Sequence, residues 1–377
     1  MRIHQHNNLS PHIARRAAVV LAISIGFFFA PAAFAQDPGS GFVVDPTWPK
    51  PLPNQWATGQ VGGVCVGPKD HVFIVNRRNL TEKELLTAKQ APPIIEFDSA
   101  GNFVNAFGDP NVVPKSIHGC TVDSEGNIYV AGNQDGIIQK YSSTGKLLLQ
   151  VGTRGVVDTS DGSLTVQAGG GGLAGRALNS GRESFFLPAG VAVDPTNGDI
   201  YVADGYGNSR VAVFDRSGRF VRQWGRQGTK AEVEAGMGGV FMQVVHCVTI
   251  GNDGLVYVCD RQGDRIEVFD KSGKFEKNIP VHTGSERVPD LWGTVWWIGF
   301  SPDPAQKYIY VANGRNEEIH ILDHASGRIL SSFGRPGHQV GEFDHAHTLA
   351  VDSEGNIYVA ETDWGERVQK FMIVNSK

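Results

Sequence analysis

The feature that most constrains this chain is a recurring strand-turn-strand unit, plainest at GVAVDPTNGDIYVADGYGNSRVAVFDRSGRFV, residues 190–221. An apolar strand, Val191–Val193, runs into an Asp-Pro-Thr-Asn-Gly turn and a strand ending at Tyr201–Asp204. A polar corner follows, then a strand at Arg210–Phe214, an Asp-Arg-Ser-Gly turn and a strand at Arg219–Trp224. Short alternating runs punctuated by Gly, Asn and Asp are hairpin chemistry, because those residues accept the positive φ that tight turns need. One position of the unit recurs six times, at Gly62, His118, Ala189, His246, Trp296 and His347, with spacings of 56, 71, 57, 50 and 51 residues. One four-stranded sheet per roughly 40–45 residues, lengthened by loops, marks a β-propeller. The fold expected is therefore all-β, a six-bladed propeller.

The pattern also divides the chain. Residues 1–35 read as a secretory signal peptide: Arg2, Arg15 and Arg16 precede the apolar Ala17–Ala30, and Ala33-Phe34-Ala35 is an A-x-A-like cleavage site. Its apolar run is short for a membrane span. Residues 36–61 form a connector, with Pro-rich chain after Asp45, and residues 62–377 form the propeller. The last unit shows three strands only, so residues near Phe42–Val44 are expected to supply its fourth and close the ring. Leu80–Lys89 has helix-forming composition and reads as a short excursion at a corner of blade 1; Gly155–Ser184, with Gly169–Gly172, reads as a loop without apolar pattern.

Composition excludes several function classes. Cleavage at Ala35 removes three Arg and no acid, taking the formal charge from −5 to −8. An acidic chain does not favour nucleic acid. No later stretch is apolar enough to cross a membrane as a helix. The expected location is periplasmic or secreted, and the expected state a monomer. Two readings of Cys65, Cys120, Cys247 and Cys259 stand: export permits disulfides, while their places inside apolar strands suit buried free thiols at least as well.

The six equivalent positions start the innermost strands, which line a propeller's central bore. Histidine occupies blades 2, 4 and 6, as His118, His246 and His347. Alternate blades lie a third of a turn apart, so these imidazoles converge. Three His around a divalent ion, with one position open, is the geometry of catalytic zinc. Taken singly, each reads as a hydrogen-bonded rim residue; the alternating trio reads as a metal set. The corner after each second strand faces the same mouth and carries Arg77 in blade 1, Tyr206 in blade 3 and Arg261 in blade 4. Two guanidiniums near a cation point to an anionic substrate, since their forks match carboxylates. A tyrosine beside a metal can serve as base or proton donor.

These repeats resemble NHL-type propellers. In detail they look like the lyase domain of the peptide-amidating enzymes, peptidyl-α-hydroxyglycine α-amidating lyase. The segments that carry the likeness are SIHGCTVDSEGNIYV, LPAGVAVDPTNGDIYVADGYGNSRVAVFDRSGRFVRQWG, VVHCVTIGNDGLVYVCDRQGDRI and EFDHAHTLAVDSEGNIYVAE, within residues 60–371. The resemblance implies zinc on His118, His246 and His347, Tyr206 as catalytic base, and Arg77 and Arg261 on the substrate carboxylate. The implied substrate is a small molecule or peptide ending in such a carboxylate; the implied reaction cleaves a C-terminal α-hydroxyglycine into an amide and glyoxylate.

The sequence also departs from that family. Thr348 stands where the family has an Asp associated with a structural calcium, so calcium is carried over without that ligand. His345 replaces a Met, as an extra ligand or a loop residue, and Gly207 replaces a Cys, so one family disulfide is absent. Two alternatives to the amidating lyase remain open. One is a metal-dependent lyase or hydrolase acting on another small carboxylate; the other is a non-enzymatic propeller that binds a peptide or protein.

Overall fold

The computed structural model describes residues 41–156, 179–281 and 292–374. The signal-peptide reading and the centre of the 155–184 loop lie outside the described residues.

Six antiparallel four-stranded sheets follow one another along the chain. Blade 1 comprises Val61–Val66, Val72–Asn76, Ile94–Phe97 and Phe103–Phe107; blade 2 comprises Ile117–Val122, Ile128–Gly132, Ile137–Tyr141 and Leu147–Val151. Blade 3 comprises Gly190–Val193, Ile200–Asp204, Arg210–Phe214 and Phe220–Trp224; blade 4 comprises Val245–Ile250, Val256–Asp260, Arg265–Phe269 and Phe275–Pro280. Blade 5 comprises Trp297–Phe300, Tyr308–Asn313, Glu318–Asp323 and Ile329–Phe333. Blade 6 takes three strands from the C-terminal end, Ala346–Val351, Ile357–Glu361 and Val368–Ile373. Its outermost strand is Phe42–Asp45, paired antiparallel with Phe42 opposite Ile373 and Asp45 opposite Lys370. The expected closure by the N-terminal strand is thus present. The first strand of every blade touches the first strand of both neighbours, blade 6 against blade 1 included, so the ring has no open seam. Trp48 reinforces that junction, its ring 5.6 Å from Phe97 of blade 1 and 4.9 Å from Tyr358 of blade 6.

Burial follows radial order. The second strands are almost wholly buried, because both faces pack on neighbouring blades, whereas outer strands such as Phe220–Trp224 are half exposed. This is why the second strands read as continuous apolar runs and the outer ones alternate. Each second strand carries one large ring at the same register, Phe73, Tyr129, Tyr201, Tyr257, Tyr310 and Tyr358, all buried. The turns are closed by local chemistry. Asp215 Oδ1 accepts from Ser217 N at 2.8 Å, Gly218 N donates to Asp215 O at 2.8 Å, and Gly218 takes φ 84°, a region glycine enters without steric penalty.

Two readings gain detail. The excursion at Leu80–Lys89 holds a three-residue 3-10 turn, Glu84–Leu86, and its last residue opens the two-residue strand Lys89–Gln90, paired with Trp56–Ala57. The cysteines are paired as Cys65–Cys120 and Cys247–Cys259, with Cα separations of 5.8 and 4.9 Å, and none is free. The first pair joins the inner strands of blades 1 and 2, 55 residues apart, and the second joins adjacent strands of blade 4. In the chain-entropy picture a loop as long as the first is worth about 4 kcal/mol. Apolar neighbours in sequence gave no sign of either pairing, since proximity comes from blade-to-blade stacking and strand register.

Candidate active site

The second strands hold the mouth in place. In blades 1, 3, 4 and 6 that strand ends on a polar residue that hooks the backbone leading into an innermost strand. Asn76 Oδ1 accepts from Gly59 N at 3.0 Å, Asp204 Oδ1 from Phe186 N at 2.9 Å, Asp260 Oδ1 from Met242 N at 2.9 Å, and Glu361 Oε2 from Asp344 N at 2.8 Å. In blades 3, 4 and 6 an arginine at or just before the start of the third strand balances the buried carboxylate: Arg210 on Asp204 at 2.8 Å, Arg265 on Asp260 at 3.0 Å and Arg367 on Glu361 at 2.8 Å. A buried carboxylate without such a partner is strongly destabilising. The corners that present Arg77, Tyr206 and Arg261 therefore start from rigid anchors.

His118, His246 and His347 converge at the axis. Their candidate ligand atoms lie within 4.8 Å of one another, and all three side chains are buried. Each Nδ1 faces a backbone carbonyl of the following blade: His118 on Ala189 O at 2.9 Å, His246 on Trp296 O at 2.5 Å, His347 on Gly62 O at 2.8 Å. A carbonyl can only accept, so each Nδ1 carries the hydrogen and each Nε2 turns a lone pair to the axis. These acceptors belong to the same six-fold position as the histidines, one blade on. Burial first, and then the neighbouring imidazole and guanidinium charges, hold all three imidazoles well below their ordinary range, in the neutral form that ligates metal.

The donor set fits a cation. His347 Nε2 lies 3.2 Å from His118 Nε2, lone pair against lone pair. Two nitrogens of a tetrahedral zinc site stand about 3.3 Å apart when Zn–N is about 2.0–2.1 Å. The Tyr206 hydroxyl is 3.0 Å from His118 Nε2 and 3.0 Å from His246 Nε2, and has one proton for two acceptors. Three inward lone pairs thus face a single hydrogen, a shortage that a divalent ion removes.

The residues expected around the trio are brought to it. Arg261 Nη1 donates to the Tyr206 hydroxyl at 3.1 Å, and its guanidinium stacks 4.8 Å from the Trp296 ring and 5.2 Å from the Tyr206 ring. Arg261 Nε is buried and has no hydrogen-bond partner, a cationic donor left for a ligand. Arg77 is tied by Nε to Ile117 O at 3.2 Å and by Nη1 to Gln60 Oε1 at 2.8 Å. Burial lowers its proton affinity, opposed by the phenol of Tyr206 and by Asp363. His345 stays outside the trio. Its Nδ1 donates to Asp344 Oδ1 at 2.8 Å, its ring lies 6.2 Å from Trp296, and with Glu317 and Asp344 it forms a second close group of potential ligands. Glu317 there already accepts from Ala346 N at 2.9 Å. At the position associated with calcium, Thr348 is buried and its hydroxyl accepts from Val64 N at 3.1 Å; a neutral oxygen committed to the fold does not fit that role.

Sequence reasoning missed Gln243 and the wall of the mouth. Gln243 Nε2 donates to Tyr206 O at 3.1 Å, while Gln243 O and Val244 O accept from Gln262 N and Arg261 N, each at 3.0 Å. One segment thereby sets Tyr206 and Arg261 together. Trp296, marked in the sequence as a repeat position within an aromatic-rich run, walls the trio, 5.8 Å from His246 and 6.0 Å from His347.

Known proteins share this architecture. The NHL repeat family matches residues 187–214, within blade 3 and the approach to it. Peptidyl-glycine alpha-amidating monooxygenase A of Xenopus laevis is 27% identical over 80% of this chain and 31% of its own length. Peptidyl-alpha-hydroxyglycine alpha-amidating lyase 1 of Drosophila melanogaster is 27% identical over 78% of this chain and 50% of its own length. NHL repeat-containing protein 3 of Homo sapiens is 26% identical over 88% and 84%. The chain spans about a third of the length of the amidating monooxygenases it matches. Among solved structures, a streptogramin B lyase aligns with TM-score 0.53 at 14% identity, covering 89% of this chain and 99% of that one, a likeness of fold. The chain is a six-bladed β-propeller bearing an NHL repeat, and its relatives include peptidyl-α-hydroxyglycine α-amidating lyases and NHL repeat-containing protein 3.

Proposed function

We propose that this protein is a zinc-dependent carbon–nitrogen lyase that cleaves peptidyl-α-hydroxyglycine-like substrates to an amide and glyoxylate. The observation that carries the reading is the convergence of three neutral imidazoles, each fixed by a main-chain carbonyl, beside the paired Tyr206 hydroxyl and Arg261 guanidinium.

His118, His246 and His347 would hold the zinc through Nε2. Bound there, zinc supplies Lewis-acid polarisation of the substrate's oxygen. Arg261, through its unpartnered Nε, and Arg77 grip the carboxylate and orient the α-carbon towards the trio. The Tyr206 oxygen, entering as the phenolate with its own proton lost to solvent, takes the proton of the α-hydroxyl. That oxygen's electron pair then forms the carbonyl of glyoxylate, and the C–N bond breaks with its pair on nitrogen. Nitrogen takes up a proton, which Tyr206 is placed to return, and the amide leaves. The Arg261–Tyr206 hydrogen bond steadies the phenolate form of this exchange. Trp296 and Trp292 shield the mouth from bulk water.

We place the protein in the periplasm or outside the cell, as a monomer. Two disulfides suit an oxidising compartment, and among the described residues no helix is long and apolar enough to cross a membrane.

The test is glyoxylate release from a peptide ending in α-hydroxyglycine, with and without a zinc chelator. Chelator-sensitive release supports the lyase. A zinc-loaded protein that releases none keeps the metal site and moves the reading to a lyase or hydrolase for another carboxylate. A second reading is a binding propeller; the match to NHL repeat-containing protein 3 over most of both chains carries a name that states no reaction. Zinc content separates it, since a pure binding surface has no use for three convergent imidazoles.

A further inference from the structure

Trp296 and Trp297 are consecutive, and consecutive strand residues point to opposite sides. Trp296 turns to the mouth, against Arg261 and the trio. Trp297 turns into the bore. Its ring stands perpendicular to that of His246, with centroids 6.2 Å apart. A methyl group added to Gly119 would fall 2.6 Å from the Trp297 indole, and one added to Gly190 would fall 3.2 Å from it. Gly119 belongs to blade 2, which faces blade 5 directly across a six-membered ring. The indole therefore spans the full width of the bore, and reaches the far wall only because Gly119 and Gly190 carry no side chain. Those two glycines directly follow the axial positions His118 and Ala189, so the ring lies one residue beneath the imidazoles. Below it a cavity of about 230 Å³ continues along the axis, lined from the six blades in turn by Cys65, Thr121, Ala192, Thr249, Gly299 and Ala350.

We propose that Trp297 is a positioning residue that seals the bore beneath the three imidazoles, leaving their Nε2 atoms open to ligands from the Tyr206 side alone. A through-bore would admit water to the trio from the far end. The indole makes the site single-mouthed, and its apolar face supports His246 against tilting. The inference concerns access to the imidazoles and does not depend on zinc or on the lyase reaction.

The test uses the full chain after dialysis against a chelator. Diethyl pyrocarbonate acylates accessible neutral imidazoles, and peptide mass spectrometry resolves each histidine. Trp297→Phe keeps a ring in the core but is too short to touch Gly119. It should raise acylation of His118, His246 and His347 by at least about tenfold, as when a minor open state becomes dominant. Outlying His71 and His338 should react as in the parent. Leu349→Ala widens the cavity below the indole and leaves the seal intact, so the trio should keep its parental rate. General loosening would raise the rates in both variants, whereas loss of a seal raises them in one. Parental rates in Trp297→Phe, or an equal rise in Leu349→Ala, would overturn the proposal. Should Trp297→Phe fail to fold, Trp297→Leu keeps an apolar side chain in the core and likewise stops short of Gly119. It should raise the same three rates, and a parental rate there counts against the seal. Zinc content and glyoxylate release are read separately, so failure of the lyase reading leaves this result standing.

Discussion

Even and odd blades are built from the same four-stranded unit and do opposite things at the axis. Blades 2, 4 and 6 present a side chain, the imidazoles of His118, His246 and His347. Blades 1, 3 and 5 present main chain at the equivalent position, the carbonyls of Gly62, Ala189 and Trp296, and each takes one imidazole N–H. Gly62, Ala189 and Trp296 have no side-chain property in common. The imidazoles ask none of them, because a carbonyl is the same on every residue; Gly62 is bare for a separate reason, since a Cβ there would fall 2.0 Å from Ile117 O. The propeller thus couples a chemically demanding position to one that the backbone fills, and the alternation fixes three tautomers without three further side chains.

Removing an even-blade imidazole tests this contrast most severely. His246→Ala should lose zinc with the propeller still folded. The expected fall in zinc affinity exceeds the roughly 10–100-fold cost of losing an outer-shell partner, read by metal analysis of dialysed protein beside circular dichroism. Retained stoichiometric zinc would sink the three-histidine site. Tyr206→Phe separates holding metal from moving a proton. Zinc should stay, while turnover of the α-hydroxyglycine peptide falls by about 10²–10⁴, the usual worth of a positioned base; near-parental kcat would remove Tyr206 from that role. Arg261→Lys keeps the charge and loses the fork. KM should rise by about tenfold, since one charge-assisted hydrogen bond is worth about 1.5–3 kcal/mol; an unchanged KM would take Arg261 off the carboxylate. The mildest change belongs to an odd blade. Ala189→Ser buries a hydroxyl and should cost about 1–3 kcal/mol of stability in thermal unfolding. It leaves the carbonyl to His118, so zinc content should not move; loss of zinc there would mean that odd-blade side chains matter after all.

Much of the site was legible because the repeat supplies coordinates. Six positions counted along the chain become six points around an axis, and histidine at every second one becomes a triangle. Arg77, Tyr206 and Arg261 were legible for the same reason, Arg77 and Arg261 directly following the last residue of a second strand and Tyr206 standing two residues past it. Gln243 was not. It lies in the approach to an innermost strand, where no register predicts direction, and its value comes from tying Tyr206 to Arg261. The cysteines were legible as residues and not as bonds. Cys65 and Cys120 meet only because blades 1 and 2 stack, and the apolar strands that hold them suit thiol and disulfide alike.

Alternating strands, turn residues at fixed offsets and a sixfold period were enough to determine a closed ring of six blades, because each rests on contacts local to one unit. The triangle of histidines followed from symmetry once the ring was assumed. Tertiary structure alone decided what lies between blades: which carbonyl holds which imidazole, with Gly62 and His347 meeting 285 residues apart, which cysteines pair, and that of two adjacent tryptophans one walls the mouth while the other crosses the bore to Gly119. The physical reason is reach. Turn and strand signals act over a few residues, whereas these contacts exist only after the ring has closed and brought distant segments to one axis.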